Sequence, residues 1–184
     1  MKLSILIPTI KRHDRLFTLL KFELYAQMLP YSGQIELLVD DHETDPTGMK
    51  RNRLLERASG THLTQIDADD RVSITYVEHL MKAIEADCDC ASLKGVYSVD
   101  GKVDGIFEHS IRYNEWRTTN NEIKYERYPT PLNLIRSSIA KQFKFPDITW
   151  GEDHAWSKQL HESGLLKTEY YINDILYYYN KLTK

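Results

Sequence analysis

THLTQIDADDRVS, Thr61 to Ser73, sets three carboxylates, Asp67, Asp69 and Asp70, directly behind a strand-like run. Like charges crowded together repel, and without something positive among them one would hold its proton, so the stretch calls for a cation or a basic partner. In an extended segment residues two apart point the same way. Asp67 and Asp69 can therefore face one ligand while Asp70 turns aside or joins through a bend. Hard oxygen ligands at this spacing suit Mg²⁺ or Mn²⁺, which keep waters and take one or two carboxylates together with substrate phosphates. An isolated Asp-x-Asp is more often a solvated turn with an aspartate capping the next helix. The third carboxylate and the strand-end position weigh against that here. A calcium loop counted from Asp67 fails, because Arg71 falls at its fifth position and Val72 where its sixth-position glycine belongs.

The same pattern occurs twice upstream. KLSILI is a short apolar run ended by Pro8, and Leu16, Leu19, Leu20 and Leu24 then recur at helical spacing behind Asp14, a candidate cap. IELLV ends in Asp40 and Asp41, and a helix is expected from Gly48 to Ala58, stopped by Gly60. HLTQI is the third strand. Strands alternating with amphipathic helices predict a parallel sheet with covering helices, whose ligands settle beyond the carboxyl ends of the strands. Pro8-Thr9, Asp40-Asp41 and Asp67-Asp69-Asp70 are therefore expected to converge on one edge of the sheet.

The second half changes character. CASLKGVYSVDGKVDGIF alternates and carries two Asp-Gly turn signals, as antiparallel or mixed strands do. Residues 112–130 are polar and aromatic without a period, which predicts a long loop or lid. Helices are expected at Leu134 to Lys141 and at Glu152 to Ser163, the latter bounded by Gly151 and Gly164, before LYYYNKLTK closes the chain as strand and tail.

A chain of 184 residues suffices for one domain with a real core. Its 24 basic and 27 acidic residues give a formal charge of −3, with no global field to hold a nucleic acid. Cys88 and Cys90 are too few and too close for a disulfide framework or a four-ligand zinc site, so a reducing compartment, the cytoplasm, is expected. No apolar run approaches the ~18 residues of a membrane span, and the first is too short for a signal sequence.

A second acidic pair, Glu152-Asp153 in TWGEDHAW, stands at an expected helix N-terminus, where the macrodipole favours ionised carboxylates. Its chemical use would be as a base, Asp153 accepting a proton from an attacking hydroxyl while Glu152 orients it or a neighbour. Trp150 beside it belongs to the core or offers a face to a sugar ring. His154 stands alone, as a surface or hydrogen-bonding residue rather than a metal ligand. Lys50, Arg51 and Arg53 in TGMKRNRLLERASG form a basic helix face that is either solvated or paired with a diphosphate or the nearby aspartates. No G-x-S-x-G, phosphate-binding loop or G-x-G-x-x-G occurs, which removes hydrolase triads, P-loops and Rossmann dinucleotide sites.

Taken in order, SILIPTIKR, LLVDDHETD, GMKRNRLLERASGTHLTQIDADD, FPDITWGEDHAWSKQL and INDILYYYNK resemble the segments of GT-A glycosyltransferases, specifically the large inverting family 2-like group. The resemblance runs nearly end to end. It implies a single α/β domain over residues 1–184 with a mixed, mostly parallel central sheet flanked by helices. Residues 1–100 would be the nucleotide-sugar half and residues 101–184 the acceptor and catalytic-base half. The donor implied is a nucleotide-diphospho-sugar, a UDP-sugar first among them, with Mn²⁺ or Mg²⁺ as cofactor and a glycan, lipid or protein hydroxyl as acceptor. Pro8, Thr9, Asp40 and Asp41 would lie near base and ribose, Lys50 and Arg51 near base or phosphates, and Asp67 near the ribose or metal. Asp69 or Asp70 would bind the metal, and Asp153 matches the family's base. The chain departs at His42 and Glu43, where the family commonly has small residues. Acceptor contacts are expected in the segment containing Trp116, Tyr125 and Tyr128. The competing readings are a metal-dependent nucleotidyltransferase or phosphohydrolase, and a non-catalytic module that binds a nucleotide sugar or glycan.

Overall fold

The computed structural model describes residues 1–181; the end of the expected tail, residues 182–184, lies outside them. β1 (Leu3–Pro8) is buried along its whole length, with β2 (Ile35–Asp40) on one side and β3 (His62–Gln65) on the other, both parallel to it. A central strand covered on both faces needs apolar residues at every step rather than at alternate ones, and LSILIP supplies nearly that. The two-residue period then sorts its side chains. Leu3, Ile5 and Ile7 join Leu20 and Leu24 of α1 (Asp14–Met28), while Leu6 faces Leu54 and Leu55 of α2 (Thr47–Arg57). The first core also takes Val77 and Leu80 of α3 (Tyr76–Glu85), the second Ile139 of the one-turn α4 (Ser137–Ala140) and Trp156 and Leu160 of α5 (Glu152–Ser163). Each fully buried leucine or isoleucine contributes about 1.5–3 kcal/mol.

The strands form two mixed sheets. In the first, short β5 (Cys90–Ala91), β10 (Ile135–Arg136) and β11 (Glu169–Tyr170) extend the parallel trio, in the order β11-β5-β10-β3-β1-β2. The second contains β4 (Arg71–Val72), β6 (Leu93–Val99), β7 (Lys102–His109), β8 (Arg117–Thr118), β9 (Ile123–Arg127) and β12 (Ile175–Lys181), in the order β4-β12-β6-β7-β9-β8.

Several local expectations are corrected. Residues 112–130 are not one loop: they contain β8 and β9, the latter parallel to β7. Leu134 to Lys141 is β10 followed by the single turn of α4, because Ile135 pairs with Leu63 and Cys90 before the helix begins. Of the two Asp-Gly signals only Asp100-Gly101 turns the chain, both residues having positive φ (48° and 78°). Asp104-Gly105 lies inside β7, where Gly105 faces Tyr97 beside a bulge. Asp14 is the first residue of α1 rather than its cap and makes no capping side-chain hydrogen bond. The α5 bounds, Glu152 to Ser163, coincide with those read from the sequence. Among the described residues no helix is long and apolar enough to cross a membrane.

Candidate active site

Parallel pairing puts the carboxyl ends of β1, β2 and β3 along one edge, with Pro8 level with Asp40 and Leu6 level with Gln65. The chain beyond them stays tied: the Thr9 N–H donates to the Asp40 carbonyl at 2.9 Å and the Ile66 N–H to the Leu6 carbonyl at 3.0 Å. Two residues of α2 then bring the distant Glu152 turn to that edge. Gly48 donates its N–H to the Ile148 carbonyl at 3.0 Å, and a Cβ there would lie 1.8 Å from the Pro146 carbonyl oxygen, so only glycine allows the approach. Asn52 clasps the Phe145 backbone with both ends of its amide, each bond 2.9 Å long.

Arg51, fully buried between these elements, spends its guanidinium on three of them. Nε donates to Glu152 at 3.1 Å, Nη1 to Gln65 at 2.8 Å and Nη2 to Asp67 at 2.7 Å. Burial alone would pull its pKa down; the charges of Asp67 and Glu152 reverse that and hold it above the ordinary value. Burial also raises the Glu152 carboxyl, against Arg51 and with the help of Asp153. Lys50, buried beside it, donates to the Thr9 carbonyl at 2.8 Å, and its ammonium is lowered by burial despite Asp40, Glu43 and Asp45.

The cavity above this edge has a volume of about 570 Å³. Pro8, Thr9, Lys50, Arg51, Asp67, Asp69, Glu152 and Asp153 all line it, so eight of the site residues expected from sequence stand together. Asp40, Asp41 and Asp70 do not. Asp40 is gripped by Arg53 through two bonds, 2.7 and 3.0 Å; burial raises its pKa, and the Arg53 contacts more than offset that. Asp41 is exposed beyond β2. In the same loop Glu43 accepts the Lys11 N–H at 2.7 Å, which ties the turn after β2 to the turn after β1. Asp70 is turned into the protein, where burial and then the Asp67 charge push its pKa well up, while the Tyr177 hydroxyl donates to it at 2.8 Å. That hydroxyl also accepts the Asp67 N–H at 3.2 Å, so β12 fixes the acidic turn from below.

A hard cation fits this wall in one particular way. Asp69 keeps its carboxylate in the cavity, where among the described residues His13 is its one ion-pair partner, Nε2 lying 3.6 Å from Oδ2, and Asp67 gives one oxygen to Arg51. Among the described residues no group of three or more ligating side chains forms a complete metal cage. One or two carboxylates with substrate phosphates completing the shell is the donor set that Mg²⁺ and Mn²⁺ accept.

The second sheet supplies the opposite wall through Tyr97, Phe107, His109, Arg127, Tyr179 and Lys181, joined by Trp116 just ahead of β8. Sequence reasoning had singled out Trp116 but not Arg127, which lay in a stretch without periodicity. Tyr125 and Tyr128 are not on the wall: Tyr125 packs edge-on to Tyr97, and Tyr128 stacks on His161 at 4.4 Å. Trp150 is 86% exposed at the cavity rim, outside the core, and His154 lies against the Trp116 ring at 4.5 Å. Gln65, Tyr177 and His13 were also missed; nothing local marks them, because their contacts are made by the fold.

No family model matches the chain, and no curated protein matches it. Solved structures do. S. aureus TarS 1-349 superposes with a TM-score of 0.70 at 18% identity, covering 98% of this chain and 60% of that one. Its complex with UDP gives 0.73 at 19% identity, with the same coverage. Its complex with UDP-GlcNAc gives 0.74 at 19% identity, covering 98% and 59%. The chain has a GT-A fold. This chain spans about 60% of the length of those structures. Within the GT-A fold of this chain the cavity lies at the carboxyl ends of the parallel strands, where open α/β sheets take their ligands.

Proposed function

We propose that the cavity binds a nucleotide-diphospho-sugar, a UDP-sugar, with Mg²⁺ or Mn²⁺, and transfers the sugar to an acceptor hydroxyl with inversion. The observation that carries this is the meeting of Asp67 and Asp69 with Asp153, 84 positions beyond Asp69, on the wall of one cavity. The likeness to TarS bound to UDP and UDP-GlcNAc supports the choice of donor.

Residues 1–100 would hold the donor and residues 101–184 bring the acceptor and the base. Pro8 and Thr9 form the nucleotide wall, and Asp69, with the open oxygen of Asp67, would hold the cation. The cation, when bound, neutralises charge on the departing diphosphate. Asp153 takes the acceptor hydroxyl proton as that oxygen bonds to the anomeric carbon. The bond from that carbon to the diphosphate oxygen breaks, and its electron pair leaves with the nucleoside diphosphate. Glu152 and Arg51 are positioning residues: their ion pair fixes the first turn of α5 and hence Asp153. Asp40 acts through Arg53 and Asp70 through Tyr177, both behind the wall.

The test measures products and turnover with UDP-sugars and a panel of acceptors. Nucleoside diphosphate and glycosylated acceptor are expected, abolished by EDTA and restored by Mn²⁺ or Mg²⁺. Asp153→Asn is expected to lower kcat by about 10²- to 10⁴-fold while the donor still raises the melting temperature. Full turnover in Asp153→Asn would remove the base, and unchanged turnover in EDTA the metal. Pyrophosphate or inorganic phosphate as product would make the protein a nucleotidyltransferase or phosphohydrolase, and donor binding without turnover would make it a binding module.

A further inference from the structure

Among the described residues the cavity wall carries an arginine whose guanidinium meets a ring face but no carboxylate. Arg127 ends β9, lines the cavity and holds its guanidinium 4.2 Å from the centre of the Trp116 ring. Arg51, on the facing wall, has three of its N–H donors taken up by protein oxygens. Among the described residues no carboxylate pairs with Arg127 and no oxygen accepts from its side chain, although it is only half-exposed. Arg12 and Lys181, also on the wall and unpaired among the described residues, are exposed and solvated. Burial pulls the Arg127 pKa down, and Asp153 is the first charge that opposes this. Trp116 adds a second idle donor: its Nε1–H is buried without an acceptor. A half-buried cation without an oxygen partner is costly to leave so, and an oxyanion entering the cavity satisfies it.

The position chooses between the two ends of the substrate. In a single displacement the leaving diphosphate and the incoming hydroxyl lie on opposite sides of the anomeric carbon. Asp67, Asp69 and His13 mark the first side and Asp153 the second. Arg127 belongs with Asp153, because the Trp116 ring that it covers lies 4.5 Å from the ring of His154, the next residue of α5. Resting on the proposed transfer reaction, we propose that the acceptor bears an oxyanion, a phosphate ester or a carboxylate, which pairs with Arg127 over the Trp116 ring while a nearby hydroxyl reaches Asp153.

The experiment uses the whole chain saturated with UDP and Mn²⁺, so that the donor end is occupied, and titrates inorganic phosphate and, separately, acetate. Binding of either is expected to weaken by about 10- to 100-fold in Arg127→Met and less in Arg127→Lys. Phosphate binding alone assigns a phosphate ester and acetate binding alone a carboxylate; no binding of either, or equal binding in Arg127→Met, overturns the proposal. A transfer assay then compares an alkyl glycoside with the same glycoside carrying a 6-phosphate or a 6-carboxylate. At least 10-fold higher kcat/KM is expected for a charged member, falling towards parity in Arg127→Met and, in the native protein, in high salt. Equal kcat/KM for charged and neutral members in the native protein overturns the proposal even if Arg127→Met does not fold. Failure of UDP to bind overturns the transferase reading, and the acceptor assignment with it; UDP binding with no Arg127-dependent anion site overturns only this inference.

Discussion

Each of the three bonds that Arg51 makes ends on a different part of the chain: Glu152 on α5, Gln65 on β3 and Asp67 in the turn beyond. Removing the guanidinium would leave Glu152 as a buried, uncompensated carboxylate and free Asp67 to repel its neighbours. Breaking a buried pair from one side costs about 3–5 kcal/mol, so Arg51→Met should lose that much in urea unfolding. Adding Glu152→Gln to Arg51→Met should recover part of the loss, because the orphaned charge is gone. A single-mutant loss below ~1 kcal/mol would show that the fork does not hold the site together. The sequence showed Arg51 near the Asp-x-Asp and left open whether a diphosphate or the aspartates were its partners. Its actual partner on α5 is 101 positions away, a separation at which no local spacing rule operates.

At the scale of elements, legibility followed length and period. β1 and β2 carry apolar runs, α1 carries leucines at three- and four-residue spacing, and α5 stands between Gly151 and Gly164; each was found where its signal placed it. Two-residue strands such as β5, β10 and β11 contain no full period, so nothing in the sequence could separate them from loop or helix. β9 was hidden in another way: IKYER alternates, but for only five residues inside a polar stretch, and its partner β7 lies on the far side of an intervening segment. β6 adds a packing constraint that pattern reading cannot see. The Phe107 ring of β7 lies across Gly95, where a Cβ would come within 2.3 Å of the ring and 2.5 Å of the Tyr177 carbonyl oxygen of β12. Phe107 lines the cavity, so Gly95→Ala should drive the ring into it, costing about 1–3 kcal/mol and raising substrate KM. Adding Phe107→Leu should restore only part of the stability, because the Tyr177 carbonyl oxygen would still lie 2.5 Å from the new Cβ. If Gly95→Ala is as stable and as active as the native protein, the ring does not depend on that gap.

For the molecule as a whole, pH sensitivity should come partly from His109. Burial first, and the Arg127 charge second, pull its pKa from 6.5 to about 3, with the Asn133 hydrogen bond opposing. Between those values the unfolded chain binds a proton and the folded one does not, so stability is full above pH 6.5 and falls as pH drops. One such proton is worth about 1.4 kcal/mol per pH unit, or roughly 2 kcal/mol on going from pH 6.5 to pH 5. Glu169, raised by burial, works in the other direction, so the contribution is isolated by difference. His109→Gln should lose less stability than the native protein between pH 7 and pH 5 in urea titrations. Parallel losses would mean that His109 takes up its proton equally in both states. The edge where the ends of β1, β2 and β3 gather was legible because parallel pairing dictates it. The wall that faces it was not, since it depends on how the second sheet folds over the first.

β12 is inserted between β4 and β6, and its Tyr177 hydroxyl secures both Asp67 and Asp70. During translation the first three strands emerge with their carboxylates long before this brace exists. A nascent chain halted ahead of residue 175 would therefore carry the charged turn without its anchor, and ribosome-bound intermediates of that length should expose it to proteases that the finished protein resists.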